Sequence, residues 1–436
     1  MPVTEKTAEE LANTSLPCIE HPEGHQSPAT TDRIFMTHRG GKIRVAGKFH
    51  IDNPDMLSLA YTPGVSHVSR AITADPALAY CLTGKGNSVA VVTDGSAVLG
   101  LGNLGPQAAL PVMEGKTMLF RQLAGIDAWP ICLDTQDPDE IVRIVTALAP
   151  GFGGINLEDI SAPRCFEVEH RLQETLDIPV MHDDQHGTAV VVLAALSNAL
   201  KVTGRRLDEV TIVVNGLGAA GIACCRLLLA AGATRLLGCD KQGLVLTGQP
   251  EALRRSRYNL PGLIRHAHPL GTLRQALRGA HAFIGLSVGN VLTPNDLRLM
   301  AKDPIVFALA NPDPELPPEL GRRHCRIYAT GRSDDPNQIN NLLGFPGMFR
   351  GALDARARTF NEPMLLAAAS ALADLVPVRS SSEPRIIPSV FDSRVVPAVA
   401  QAVSQTARET GVTLPVSQPD PTQSPNRYFT VNITDT

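Results

Sequence analysis

Two groups of residues in this 436-residue chain have the types and spacing to do chemistry. The first is acidic. Glu158 and Asp159 close one short apolar run, GGINLED, and Asp183 and Asp184 close another, IPVMHDD. As strands of one parallel sheet, these runs would bring their C-terminal ends to the edge where α/β proteins bind ligands. Four carboxylates gathered there repel one another, and a divalent cation or a lysine removes that cost. All-oxygen ligands suit Mg2+ or Mn2+. The same acids also suit helix capping, since Asp is a good N-cap and each pair precedes a helical stretch. Composition and spacing leave both readings open.

The second group is Gly216, Gly218 and Gly221, a GxGxxG that follows the apolar run EVTIVVNG and opens the helical stretch AAGIACCRLLLAAG. The first glycine permits a tight turn, the second lets a pyrophosphate approach the backbone, and the third allows close packing of helix on strand. The helix N-terminus at Ala219 and Ala220 attracts the anion. The next apolar run, TRLLGCD, ends at Asp240, about 24 residues beyond Gly216, where an acid can hold the ribose hydroxyls of NAD. Lys241 follows at once and could instead attract the 2′-phosphate of NADP, so NAD is a lean; Asp240 also suits a surface turn. A glycine turn without a ligand is the weaker reading, because the motif sits in a strand–turn–helix–strand unit.

These groups need a scaffold, and the pattern supplies one. Strands are predicted at SVAVVTDG (88–95), AWPICLDT (128–135), FGGINLEDI (152–160) and IPVMHDD (178–184), with helices at 137–150 and 162–176 between them. A long, nearly all-apolar helix is expected over 186–204, ending at Gly204. A second alternating set follows, with strands at 209–216, 234–240, 282–288, 305–312 and 326–331. Such alternation predicts an α/β protein of two domains, each a mainly parallel sheet flanked by helices, the second Rossmann-like. The expected organisation is a tail over 1–31, a catalytic and metal domain over 32–186, a dinucleotide domain over 187–405 and a tail over 406–436.

The bulk composition agrees. At 44% hydrophobic residues there is enough apolar sequence for sizeable cores. A net charge of −4 leaves no electrostatic footprint for nucleic acid or an anionic membrane. The eight cysteines contain no CxxC pair, which reads as reduced thiols and excludes a zinc site of ordinary spacing. The opening MPVTEKTAEELANTSLP lacks a basic stretch followed by an apolar one, and no run approaches the roughly 20 apolar residues of a span. The expectation is a cytoplasmic protein.

The strings YTPGV (61–65), TDGSAVLGLGNLGP (93–106), PVMEGKTMLF (111–120), GGINLEDISAPRCFEVE (153–169), MHDDQHGTAVV (181–191), GLGAAG (216–221), NPDPE (311–315) and NQINNLLGFPGMFRGALD (337–354), in this order, resemble the malic enzyme family in its short bacterial form. The resemblance covers about residues 35–405. It implies a divalent-metal-assisted, nicotinamide-dependent oxidative decarboxylation of malate to pyruvate. It also implies Tyr61 as general acid, Lys116 as general base, Glu158, Asp159 and Asp184 as metal ligands, and Asp183 as the acid supporting the lysine and the metal shell. Asn311 and Asn341 match asparagines of the substrate and nicotinamide pocket, and a homodimer or larger assembly is implied. The chain departs from larger animal-type members at Ala97, where those carry an arginine for substrate carboxylate; short bacterial members lack it too. His182 and His186 flank the acid pair and read as structural, since oxygen ligands suffice. Rival readings are a malolactic enzyme, an amino-acid dehydrogenase and a cofactor-binding pseudoenzyme.

Overall fold

The computed structural model describes residues 28–248, 263–266, 268–377 and 384–415. The chain divides into two compact units at Arg44/Val45. In the first, the helix α1 (Pro28–His38) takes in residues expected to belong to a tail. The remainder of that expected tail, and the region beyond 415, lie outside the described residues.

The second unit opens with two helices, α2 (Pro54–Ala60) and α3 (Val65–Ala74), neither of which buries a residue. A four-stranded parallel sheet follows, built from β1 (Ser88–Thr93), β2 (Asp127–Cys132), β3 (Gly154–Leu157) and β4 (Val180–His182) in the order β2-β1-β3-β4. All six residues of β1 are buried, as expected of a parallel strand covered on both faces. Alternation sorts its side chains: Val89 and Val91 join one core with Met113 and Phe120 of α4 (Pro106–Ala124), while Ala90 and Val92 join another with Ile141 and Val145 of α5 (Pro138–Leu148) and Leu172 of α6 (Arg164–Thr175).

The helix α7 (Asp183–Thr203) starts three residues before the expected position, directly after β4. Asp183 and Asp184 therefore lie in its first turn instead of ending a strand, and position 186 falls inside the helix. It stops at Gly204, whose φ of +65° suits glycine and whose N–H bonds back to the carbonyl of Leu200. By length and mean hydropathy this helix meets the test for a membrane span, yet 67% of the window is buried. Its apolar residues are taken up by the core between α8 (Ala219–Ala230) and the helix over Glu362–Asp374.

The second sheet has seven strands, in the order β11-β10-β9-β5-β6-β7-β8. Five are parallel: β5 (Thr211–Asn215), β6 (Arg235–Asp240), β9 (Ala282–Gly285), β10 (Ile305–Ala308) and β11 (Ile327–Thr330). The antiparallel pair β7 (Gly243–Gly248) and β8 (Leu263–Arg265) extends one edge and was not expected from the sequence. Three helices complete the core: α9 (Phe345–Asp354), α10 (Glu362–Asp374) and α11 (Val395–Glu409). Residues 406–409, expected in the terminal tail, continue α11, and Thr413 bridges to Ala357. Phe120 of α4 packs edge-on against Phe345 and Phe349 of α9, with ring centroids 4.7 and 5.4 Å apart. One apolar core thus runs from the first sheet into the helices that follow the second.

Candidate active site

The loops after β1 and β3 are bonded together. Asp94 Oδ1 accepts the Ser96 N–H at 2.9 Å, and Arg164 Nη2 lies 3.1 Å from its other oxygen. Ser96 Oγ in turn accepts the Ser161 N–H, and Ala97 donates its N–H to the Asp159 carbonyl. Between these ties Asp159 adopts φ +53°, a left-handed conformation that aspartate tolerates better than most residues. Asp184 Oδ2 accepts the Asp159 N–H at 2.8 Å, which joins the first turn of α7 to the same loop.

The acids do not cap helices. The N-cap of α6 is Pro163 and that of α7 is His182, and neither uses a side-chain capping bond. Instead oxygens of Glu158, Asp159 and Asp184 all lie within 4.8 Å of one another. Asp159 Oδ2 and Asp183 Oδ1 are buried without a hydrogen-bond partner. Burial, then the charges of Asp184 and Glu158, push the Asp159 carboxyl up to about 8. Burial first, and Glu158 and Asp184 against the pull of Lys116, push Asp183 up to about 7. A crowd of oxygen donors with orphaned lone pairs and destabilised negative charge is what a hard divalent cation would relieve.

Lys116, on α4, is only 7% exposed. Its Nζ donates to Glu158 Oε1 at 2.9 Å and to Asp183 Oδ2, and it sits 3.9 Å from the centre of the Phe345 ring. Burial works to discharge the lysine, but Asp183 and Glu158 overcome it and hold the ammonium more firmly than usual. The sequence could not settle this balance. Gly187, one turn into α7, leaves the room that Asp183 occupies: a Cβ there would come within 1.8 Å of Asp183 Oδ1.

Of the two histidines, His182 lies beside the acid cluster, its Nε2 3.3 Å from Asp184 Oδ2. His182 is fully buried and burial lowers its pKa to about 4, so the ring is neutral at pH 7. His186 Nε2 lies 3.0 Å from Glu169 Oε1. Asn341 opens a short turn whose capping side chain belongs to Asn340, and the Asn341 Cβ stands 3.3 Å from the position a Gly187 Cβ would take. Asn311 follows β10, and its carbonyl faces Gly100 of the β1 loop. Tyr61 is 66% exposed at the end of α2, and among the described residues no hydrogen bond joins it to Lys116. The structure thus brings Lys116, Glu158, Asp159, Asp183 and Asp184 together, while Tyr61 is exposed at the end of α2.

The glycine turn sits between β5 and α8. Gly216 has φ +100°, and a Cβ there would meet the Leu286 carbonyl at 2.2 Å. A Cβ on Gly221 would meet the Gly216 carbonyl at 1.8 Å, whereas one on Gly218 has nothing within 4 Å. The first and third glycines are therefore required by packing, and the second faces open space at the N-terminus of α8, before Ala219 and Ala220. A pyrophosphate fits there. Asp240 ends β6, and its Oδ1 accepts the Gln242 N–H at 2.8 Å, so it also shapes the turn into β7.

Sequence reasoning passed over Glu169 and Glu315. Both are buried, and Glu315 accepts the N–H groups of Ser287 and Ala310, tying the ends of β9 and β10. Glu169 lies in FEVEHRL and Glu315 in NPDPELPP, polar stretches in which neither acid stands out from its neighbours.

Comparison with known proteins agrees with this geometry. The family model for the malic enzyme N-terminal domain matches residues 41–173, and that for the malic enzyme NAD binding domain matches 185–317 and 324–408. An NAD-dependent malic enzyme of Geobacillus stearothermophilus is 56% identical over 88% of this chain and 80% of its own length. A bifunctional malic/malolactic enzyme of Bacillus subtilis is 48% identical over 90% and 96%. Among solved structures, the malic enzyme of Pyrococcus horikoshii is 45% identical with a TM-score of 0.81, covering 88% of this chain and 92% of that one.

Proposed function

The chain belongs to the malic enzyme family, and from that premise we propose that it oxidises L-malate with NAD(P) and decarboxylates the product to pyruvate and CO2. One observation carries the reading: three carboxylates converge within 4.8 Å beside a buried lysine held by Glu158 and Asp183. Relatives named NAD-dependent and NADP-dependent both match, so the nicotinamide class is supported and the lean to NAD rests on Asp240.

Glu158, Asp159 and Asp184 would hold Mg2+ or Mn2+, which when bound polarises the C2 oxygen and stabilises the enolate left by CO2 loss. A dinucleotide held by its pyrophosphate at the Gly216–Gly221 turn would supply the hydride acceptor for C2. The rest falls to this chain's own residues. Lys116 takes the C2 hydroxyl proton, for which it must first be neutral. Asp183 holds the ammonium that results. Once CO2 has left C4, C3 needs a proton, and Tyr61 is the assigned donor. That assignment rests on the family motif, and it requires the exposed Tyr61 to be brought to the substrate. Asn311 and Asn341 orient malate and nicotinamide between the two sheets.

The proposal extends to a division into a catalytic part over 32–186 and a dinucleotide part over 187–405, with α7 shared at the join. It extends also to a cytoplasmic location and a homodimer or larger assembly. Seven described cysteines carry free thiols. The exposed Val45, Phe49, Ile51, Leu57 and Leu59 present an apolar surface of the kind that subunits cover.

The test is L-malate turnover with Mn2+, with NAD and NADP in parallel and with EDTA added. Metal-dependent formation of reduced nicotinamide and pyruvate supports the reading. Lactate without net reduced nicotinamide would favour malolactic chemistry, which one relative's name includes.

A further inference from the structure

The helix α7 begins without a cap of its own, because the side chain of its N-cap residue His182 accepts nothing from the first turn. The acceptor comes from another helix. Glu169, on α6, is buried, and its Oε1 accepts the His182 backbone N–H at 2.7 Å. Its Oε2 accepts from Gln185 Nε2 at 3.0 Å, and His186 Nε2 lies 3.0 Å from Oε1 and 3.1 Å from Oε2. One carboxylate therefore fastens residues 182, 185 and 186, which enclose Asp183 and Asp184. Burial opposes ionisation of Glu169, but His186, by charge and hydrogen bond, and then His182 outweigh it, and the carboxyl is held below the usual glutamate range. The acceptor thus stays charged.

We propose that Glu169 is the positioning residue of the metal site: it fixes the first turn of α7 so that Asp184 meets Glu158 and Asp159 while Asp183 stays on Lys116. The proposal rests on the metal reading given above. Glu169 is not itself among the acids whose oxygens converge. Its effect passes through the backbone of residue 182 and the side chains of 185 and 186. A plain helix cap would contribute to stability and leave metal affinity alone; a positioning residue must move metal affinity.

The experiment is a Mn2+ titration of the full chain, without substrate, following free Mn2+ by electron paramagnetic resonance. Glu169→Gln keeps the shape but loses the charge and one acceptor. Loss of an outer-shell partner costs about 10–100-fold in metal affinity, and that is the expected weakening of the Mn2+ Kd. The dinucleotide Kd, measured on the same sample, is expected unchanged. A folded Glu169→Gln protein that binds Mn2+ as tightly as the parent overturns the proposal. If that variant does not fold, Glu169→Asp is read the same way, because it keeps the charge but shortens the reach. Asp184→Asn separates the two claims. Loss of Mn2+ in Asp184→Asn but not in the Glu169 variants leaves the metal reading standing and the positioning role overturned. A parent that binds no Mn2+ removes the metal reading and this proposal with it.

Discussion

Lys116 Nζ lies 2.9 Å from Glu158 Oε1, so the assigned base shares a proposed metal ligand with the metal site itself. The lysine's proton and the metal charge compete for one carboxylate. In the structure, Glu158 and Asp183 favour the ammonium. A cation held by Glu158 would draw the carboxylate's charge away and favour the neutral lysine.

Lys116→Ala is expected to lower malate oxidation by about 10²–10⁴-fold, the usual contribution of a general base. Dinucleotide binding, followed by nicotinamide fluorescence, should persist, because the partners of Lys116, namely Glu158, Asp183 and Phe345, lie outside the glycine turn. Oxidation near the parental rate would remove the base assignment.

Asp184→Asn should raise the Mn2+ requirement by more than the about 10–100-fold that an outer-shell loss costs. An unchanged metal titration would count against ligation.

Stability without metal should depend on pH with a definite sign. Asp183 and Asp159 are raised from 3.8 to about 7 and about 8. Their folded forms hold protons that the unfolded chain has released, so stability falls as pH rises through that window. His182, lowered from 6.5 to about 4, contributes the opposite slope, but only below 6.5. Between pH 6.5 and 8 the melting temperature of metal-free protein should fall, and Mn2+ should flatten the fall. A metal-free melting temperature that rises over this range would contradict the crowding described here.

Gly218→Ala and Gly221→Ala should separate binding from folding. Gly218 faces open space, so its alanine variant should keep the parental melting temperature and raise the KM for dinucleotide. Gly221→Ala brings a methyl within 1.8 Å of a carbonyl and should lower the melting temperature as well. Equal melting temperatures would show that the turn is looser than it looks.

Tyr61→Phe, at an exposed position, should change stability by no more than about 0.5 kcal/mol. It should slow conversion of enolpyruvate to pyruvate while sparing oxaloacetate decarboxylation. Equal enol-to-pyruvate rates in variant and parent would end the acid assignment.

Much of this was legible in the sequence for physical reasons. The apolar runs of β1 and β5 are continuous because both faces are covered, and GxGxxG marks a turn that only glycine satisfies at Gly216 and Gly221. The antiparallel β7 and β8 were missed because GLVLTG follows its turn without a hairpin signal and LIR is three residues long. The start of α7 was misplaced because β4 and α7 share a junction with no turn residue, so Asp183 and Asp184 read as strand ends. Glu169 escaped because its partners lie 13 to 17 positions away. The position of Tyr61 was not legible at all, since α2 buries nothing and carries no periodic apolar face to orient it.

The central claim is best tested by product stoichiometry. With L-malate, Mn2+ and dinucleotide, the account predicts one reduced nicotinamide and one pyruvate for each malate consumed, and none of either with EDTA. Malate consumption without matching reduced nicotinamide, or turnover that EDTA does not touch, would contradict it.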